Sequence, residues 1–196
     1  MKNIWIATFI ACFVWSAIHP HDYFTWFLEV LPAIIGVIIL AATYQRFKLT
    51  TLVYILILLH SIILMIGGHY TYAEVPFFEG LFGWERNNYD KLGHFAQGFV
   101  PALITREIFI RKQIVNGSGW QNFLIICVCL AISAFYELIE WGVAIISGSD
   151  AVAFLATQGD VWDTQSDMGF ALLGAITALL TLRSLHDRQL EKQLKI

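Results

Sequence analysis

Glu137 and Glu140 lie in an apolar run, residues 125–146, in which no other residue carries a charge. An ionisable group inside a bilayer costs on the order of a few kcal/mol even on lenient insertion scales, so two carboxylates one helical turn apart need partners. Neighbouring segments offer them. Asp90, His94 and Gln97 are spaced i, i+4, i+7 and share one face of a helix. Ser133, Glu137 and Glu140 repeat that spacing on a second helix, and Asp163 and Asp167 stand i, i+4 at the start of a third. Two such carboxylates cannot both ionise cheaply in a low dielectric. A cation, a proton or water in a cavity must accompany them, and the pair would titrate as a unit. Each outcome implies a polar pocket.

Two chemistries fit these residue types. His94, Glu137, Glu140 and Asp167 are candidate ligands for a divalent cation: oxygen donors suit Mg, Ca or Mn, and an added imidazole admits Zn. Such an ion binds a phosphate head group or activates water. Without a metal, Glu137, Glu140 and His94 are candidate catalytic groups for general acid–base work. Asp90, Arg86, Gln97 and Asp163 are candidate ligand-binding residues. Arg86 and Lys91 are natural phosphate contacts, the Arg being the better bidentate donor, unless they simply pair with Glu85 and Asp90. Taken singly, Asp90, Asp163 and Asp167 also suit helix capping, and His94, His60, Gln97 and Ser133 suit interhelical hydrogen bonds. His60 and His69 are nine residues apart and fall on opposite helix faces, so at most one points at the cluster. No H-E-x-x-H or G-x-S-x-G motif is present.

The elements that must position these residues are membrane helices. Of 196 residues, 58% are hydrophobic and only 14% charged, against about 25% charged in an average soluble domain. Six runs approach the roughly 20 apolar residues a crossing needs: roughly 3–18, 26–44, 50–67, 89–110, 120–146 and 167–185. The fold class expected is all-α, a polytopic bundle of six transmembrane helices forming a single integral membrane domain over 1–196. The first run resembles a signal peptide, but Trp15 and Ile18 spoil the small-residue cleavage pattern, so it reads as a retained helix. Cys12, Cys127 and Cys129 all lie in apolar runs and suggest neither a disulfide framework nor a metal motif.

Charge asymmetry orients the bundle. Ten of the twelve Lys and Arg residues fall at the N-terminus, the second and fourth connections and the C-terminus; only Arg86 and Lys91 fall on the other side. The positive-inside rule then places both termini in the cytoplasm. The outward side is acidic, with Asp22, Glu74, Glu79, Glu85, Asp90, Asp150, Asp160, Asp163 and Asp167. Its two long connections carry Tyr70, Tyr72, Pro76, Phe77, Phe78, Trp84 and Trp162, a composition that suits folding over the bundle or lying on the membrane surface. At the opposite, basic edge Glu107 is expected to pair with Arg111 at i+4.

The stretches 69–76 (HYTYAEVP), 85–97 (ERNNYDKLGHFAQ), 136–141 (YELIEW) and 159–168 (GDVWDTQSDM) resemble the YjdF family of bacterial inner-membrane proteins over nearly the whole chain. More distantly, Asp90, Lys91 and His94 at a helix start, then Glu137 or Glu140, then Asp167 with Gly174, resemble the motif order of VanZ-like membrane proteins. The basic residue those chains place before the last Asp is missing here. The resemblance implies an inner-membrane location and, for the VanZ-like part, a concern with cell-envelope polymers.

The leading functional expectation is recognition or handling of an envelope lipid or lipid-linked head group through an outward acidic and histidine-bearing pocket. The partners are then membrane lipids or a lipid-linked envelope precursor, with no nucleic acid, and the cofactor a divalent cation if there is one. The alternative is a membrane-embedded hydrolase or transferase using the same residues. A third reading, a small ion- or proton-coupled transporter, requires a polar path into the other half, and residues 98–105 and 120–130 offer little.

Overall fold

The computed structural model describes residues 2–76, 78, 86–147 and 152–194, and among these there is no β-strand. Phe77, Glu79, Trp84, Glu85 and Asp150, named above, lie outside the described residues. The chain forms α1 (Lys2–Ala17), α2 (Tyr23–Thr43), α3 (Thr51–Tyr70), a 3-10 turn (Tyr72–Glu74), α4 (Tyr89–Lys112), α5 (Ser118–Ser147), a short α6 (Val152–Leu155), α7 (Asp163–Thr181) and α8 (Arg183–Leu194). Local chemistry sets several ends. The Asp22 carboxylate accepts the Thr25 N–H at 2.6 Å and caps α2. Thr71 (φ 52°) closes α3 and Gln113 (φ 51°) closes α4, both in the left-handed conformation typical of helix C-termini.

Three helices, α2, α3 and α5, are long and apolar enough to cross a membrane, and α7 with α8 would make a fourth as one bent span. At 16 residues α1 is shorter, about 24 Å at 1.5 Å per residue. The sixth expected run, roughly 167–185, falls on α7 and the start of α8. Helix α7 starts at Asp163 and stops at Thr181, and α8 turns away from it by 62°. Hydropathy does not mark the first turn of α7 because it is Asp163, Thr164, Gln165 and Ser166; that turn is held by ionic contacts from elsewhere in the chain.

Helix α4 is the centre of the bundle, packing on α3, α5 and most extensively on α7. Small residues permit that closeness. A Cβ on Gly98 would run into the Ala171 carbonyl, and one on Gly174 into the Phe95 carbonyl, so the two backbones touch as they do at small-residue membrane interfaces. A layer of Val53, Ala102, Leu103, Ile125, Cys129, Ala175 and Ala178 fills the middle of the core. Outside, apolar side chains such as Ile38, Phe135 and Leu180 are exposed, a surface suited to lipid rather than water.

The described part of the connection after α3 folds over the bundle. Tyr72 is buried against Tyr89, Val75 and Ala156, and its ring fills the space left by Gly67 of α3 and Gly93 of α4. Burial and the nearby Glu29 push its phenol well above the ordinary value. Trp162, in the other connection, is exposed. At the basic end, α8 tucks His186 and Leu190 under α3 and α4.

Gly98→Ala and Gly174→Ala must each push α4 and α7 apart, at a cost of about 1–3 kcal/mol. Thermal melts of the detergent-purified protein should show both less stable than Gly36→Ala, whose added carbon meets nothing within 4 Å.

Candidate functional site

The N-terminal ends of α4 and α7 carry the charges, and the cations at the start of α4 engage the aspartates of α7. Lys91 Nζ donates to Asp163 Oδ1 at 2.7 Å and to Asp167 Oδ1 at 2.6 Å. Arg86 donates to Asp163 Oδ1, to Asp160 Oδ2 at 3.1 Å and to the carbonyls of Ala156 and Thr157, and stands 3.5 Å from Asp90 Oδ2. Gln158 and Asn87 exchange side-chain to backbone hydrogen bonds beside it. One arginine thus pins the connection between α6 and α7 to the start of α4. The side chains of Lys91, Asp163 and Asp167 are 8%, 9% and 3% exposed, so these are interior ion pairs, where geometry and extra hydrogen bonds must offset desolvation.

Below this layer His94 faces three carboxylates. Its Nε2 lies 3.5 Å from Asp90 Oδ1, 3.8 Å from Glu137 Oε1 and 3.9 Å from Asp167 Oδ2. Its Nδ1 meets Gln97 Oε1 at 3.1 Å. One ligand atom each from Asp90, His94 and Asp167 falls within 4.8 Å of the others, a grouping with the dimensions of a metal site. Glu137 adjoins that ring, and its Oε1 is buried without a hydrogen-bond partner, as is Ser133 Oγ one turn deeper.

Glu140 goes elsewhere. It lines a cavity of about 160 Å³ enclosed by α2, α3, α4, α5 and Tyr72. With it are Glu29 and Pro32 of α2, His60 and Leu64 of α3, Asp90, His94, Gln97 and Pro101 of α4, and Ile132 and Tyr136 of α5. Glu29 Oε2 accepts a hydrogen bond from the Tyr136 hydroxyl at 3.2 Å. This bond reaches across from α5 to α2, two helices that share no extended packing. Ile132 lines the cavity and is 40% exposed, so the cavity wall reaches the surface of the bundle on the α5 side. Pro32 and Pro101 lack the N–H that would bond the carbonyls four residues back, a break membrane helices tolerate where protein or a cavity supplies partners.

The residues singled out from sequence therefore separate into three groups. Asp90, His94, Glu137 and Asp167 converge, with Gln97 orienting the imidazole. Glu140 and His60 face the cavity. Arg86, expected as a ligand contact with Asp163, is engaged with Asp160 and Asp163 and stands near Asp90, and Lys91 bridges Asp163 and Asp167. His69 points to α1, its Nδ1 meeting the Ser16 carbonyl at 3.1 Å. Glu107 does pair with Arg111, at 2.8 Å, but is also fully buried and bonded to Thr50 and His186. Glu29, Tyr136 and Tyr72 are cavity residues that sequence reasoning missed. Glu29 carried the same signal as Glu137, a lone charge in an apolar helix; the tyrosines carried none, being ordinary interfacial residues by composition.

Lys91→Met would leave Asp163 and Asp167 buried against one fewer cation, and thermal melts should show a loss of about 3–5 kcal/mol. The double change Lys91→Met with Asp167→Asn should recover part of that loss, because it removes both members of a pair.

Residues 1–188 match the family model described as "Predicted membrane protein (DUF2238)". The inner membrane protein YjdF of Escherichia coli (strain K12) is 54% identical over 182 residues, covering 91% of this chain and 87% of that protein. No solved structure matches. On this evidence the chain belongs to the DUF2238 family and is a protein of the bacterial inner membrane.

Proposed function

We propose that the protein crosses the inner membrane six times, with both termini cytoplasmic, and binds the head group of an envelope lipid at its outer face through the cavity between α2 and α5. The ten-to-two division of basic residues supports the orientation. The cavity carries the functional reading: carboxylates of Glu29, Glu140 and Asp90 and two histidines line it, beside the apolar walls of Pro32, Leu64, Pro101 and Ile132. Its volume of about 160 Å³ is below the ~300–1,000 Å³ of drug-sized sites, so it suits a small polar fragment whose apolar remainder stays in the bilayer.

The sign of the pocket selects the fragment. Arg86 and Lys91 are engaged by aspartates, so the groups facing the cavity favour a positive one. An ammonium, as in an amine-bearing phospholipid or lipid-linked precursor, would pair with Glu29 and Glu140, and the Tyr136 hydroxyl would hold Glu29 in position. The transporter reading gains no support: the apolar layer of Val53, Leu103, Ile125 and Ala175 separates this cavity from the buried Glu107–His186 pair at the basic end.

Native mass spectrometry of the protein released from mixed vesicles of phosphatidylethanolamine and phosphatidylglycerol tests this. Amine-bearing lipid should be retained preferentially by the natural chain, and Glu140→Gln and Glu29→Gln should each lower that preference about tenfold, the equivalent of ~1.4 kcal/mol. Equal retention of both lipids by the natural chain would rule the reading out.

A further inference from the structure

The ring around His94 has more buried negative charge than the protein's own cations balance. Asp90, Glu137, Asp163 and Asp167 contribute four carboxylates, and Arg86 and Lys91 two fixed positive charges. The difference is two charges. A protonated His94 would supply one of them; a divalent cation would supply both.

The orientation of each donor points the same way. Lys91 holds Asp167 by Oδ1, and Arg86 stands by Asp90 Oδ2, which turns Asp167 Oδ2 and Asp90 Oδ1 inward toward His94. The Gln97 carbonyl oxygen accepts from His94 Nδ1, so the hydrogen of a neutral ring sits there and the Nε2 lone pair faces the carboxylates. That is how proteins orient metal-binding imidazoles. The three Nε2-to-oxygen separations, 3.5, 3.8 and 3.9 Å, are too long for good hydrogen bonds. A tetrahedral shell with bonds of about 2.0–2.2 Å puts its donors roughly 3.3–3.6 Å apart. The three distances from Nε2 are close to that, the ligand atoms of Asp90, His94 and Asp167 lie within 4.8 Å of one another, and the Glu137 carboxylate has to move in to join them. An independent observation is Glu137, 92% buried by its 8% exposure, whose Oε1 is directed into the ring and has no hydrogen-bond partner.

We propose that Asp90, His94, Glu137 and Asp167 form a binding site for one divalent transition-metal ion, with three carboxylate oxygens and one imidazole nitrogen as donors. That donor set favours Zn²⁺ or Mn²⁺ over Mg²⁺ and Ca²⁺, because imidazole is a poor ligand for the harder ions. Glu140 is outside the set. The proposal rests on the ring geometry and not on the lipid reading, and since Asp90 and His94 also line the cavity, the ion lies at its wall.

The full chain, purified without a metal-affinity tag and stripped with chelator, is titrated with Zn²⁺, Mn²⁺, Mg²⁺ and Ca²⁺. One equivalent of Zn²⁺ or Mn²⁺ should bind per chain, and the melting temperature should rise with the concentration of that ion, as linkage requires. The electron-spin-echo spectrum of bound Mn²⁺ should carry one imidazole nitrogen, absent in His94→Gln. Glu137→Gln should weaken binding at least tenfold, and Gln97→Leu about 10–100-fold through loss of ring orientation. Glu140→Gln should leave metal affinity unchanged while losing lipid preference, so the two proposals can fail separately. If the ring variants do not fold, the natural chain decides. No stoichiometric ion and a melting temperature indifferent to all four metals would overturn the site, and so would unchanged affinity in a folded Glu137→Gln.

Discussion

The ammonium of Lys91 between Asp163 and Asp167 is the contact on which the acidic end of the molecule depends. A bilayer offers no water to charged groups, so each buried charge must be met from within the protein. Lys91 of α4 answers two aspartates of α7, and the close approach that lets it reach them exists because Gly98 and Gly174 leave room for the facing backbone. Arg86 extends the same logic to Asp160 and the carbonyls of Ala156 and Thr157. Packing and neutralisation are therefore one arrangement: neither aspartate could be buried without the approach, and polar residues could not begin α7 without the cations.

That arrangement has a consequence beneath it. With their outer oxygens occupied, Asp90 and Asp167 present their inner oxygens to His94, where Glu137 joins them from α5. The cavity next to this ring takes its polarity from separate residues, Glu29 and Glu140, and has apolar walls of Pro32, Leu64, Pro101 and Ile132. A second buried centre occupies the basic end. There His186 of α8 accepts from Arg106 and donates to Glu107, which also takes the backbone and hydroxyl hydrogens of Thr50. Since arginine can only donate, the imidazole tautomer is set, and α8 is fastened beneath the bundle. Helix α4 carries both centres, with Ala102 and Leu103 of the apolar layer between them.

Much of this was legible along the chain. Helical phase placed Asp90, His94 and Gln97 on one face and Glu137 on another because a 3.6-residue period is a local property. Burial cost marked Glu137 and Glu140 as needing partners, and the same cost marks Glu29, the single charge of α2. Phase did less for Glu140. Three residues from Glu137 is about 4.5 Å along the axis at 1.5 Å per residue, enough for one carboxylate to join the His94 ring and the other to enter the cavity. The start of α7 was marked only by phase, Asp163 and Asp167 at i, i+4 in a turn that is polar by composition; the cations Lys91 and Arg86 that hold it come from elsewhere in the chain.

Amino-acid order alone thus established a helical membrane protein, its polar faces, and the need for something to neutralise them, because hydropathy, periodicity and desolvation act within one segment. Which carboxylate meets which cation was settled by folding. Lys91 is one residue from Asp90 yet bonds Asp163 and Asp167, more than seventy positions away, since the choice depends on how closely two helices approach and in what rotation. The surroundings of Glu137 and Glu140 were never neighbours in sequence: one faces the His94 ring at 3.8 Å, and a cavity shared with Glu29 surrounds the other.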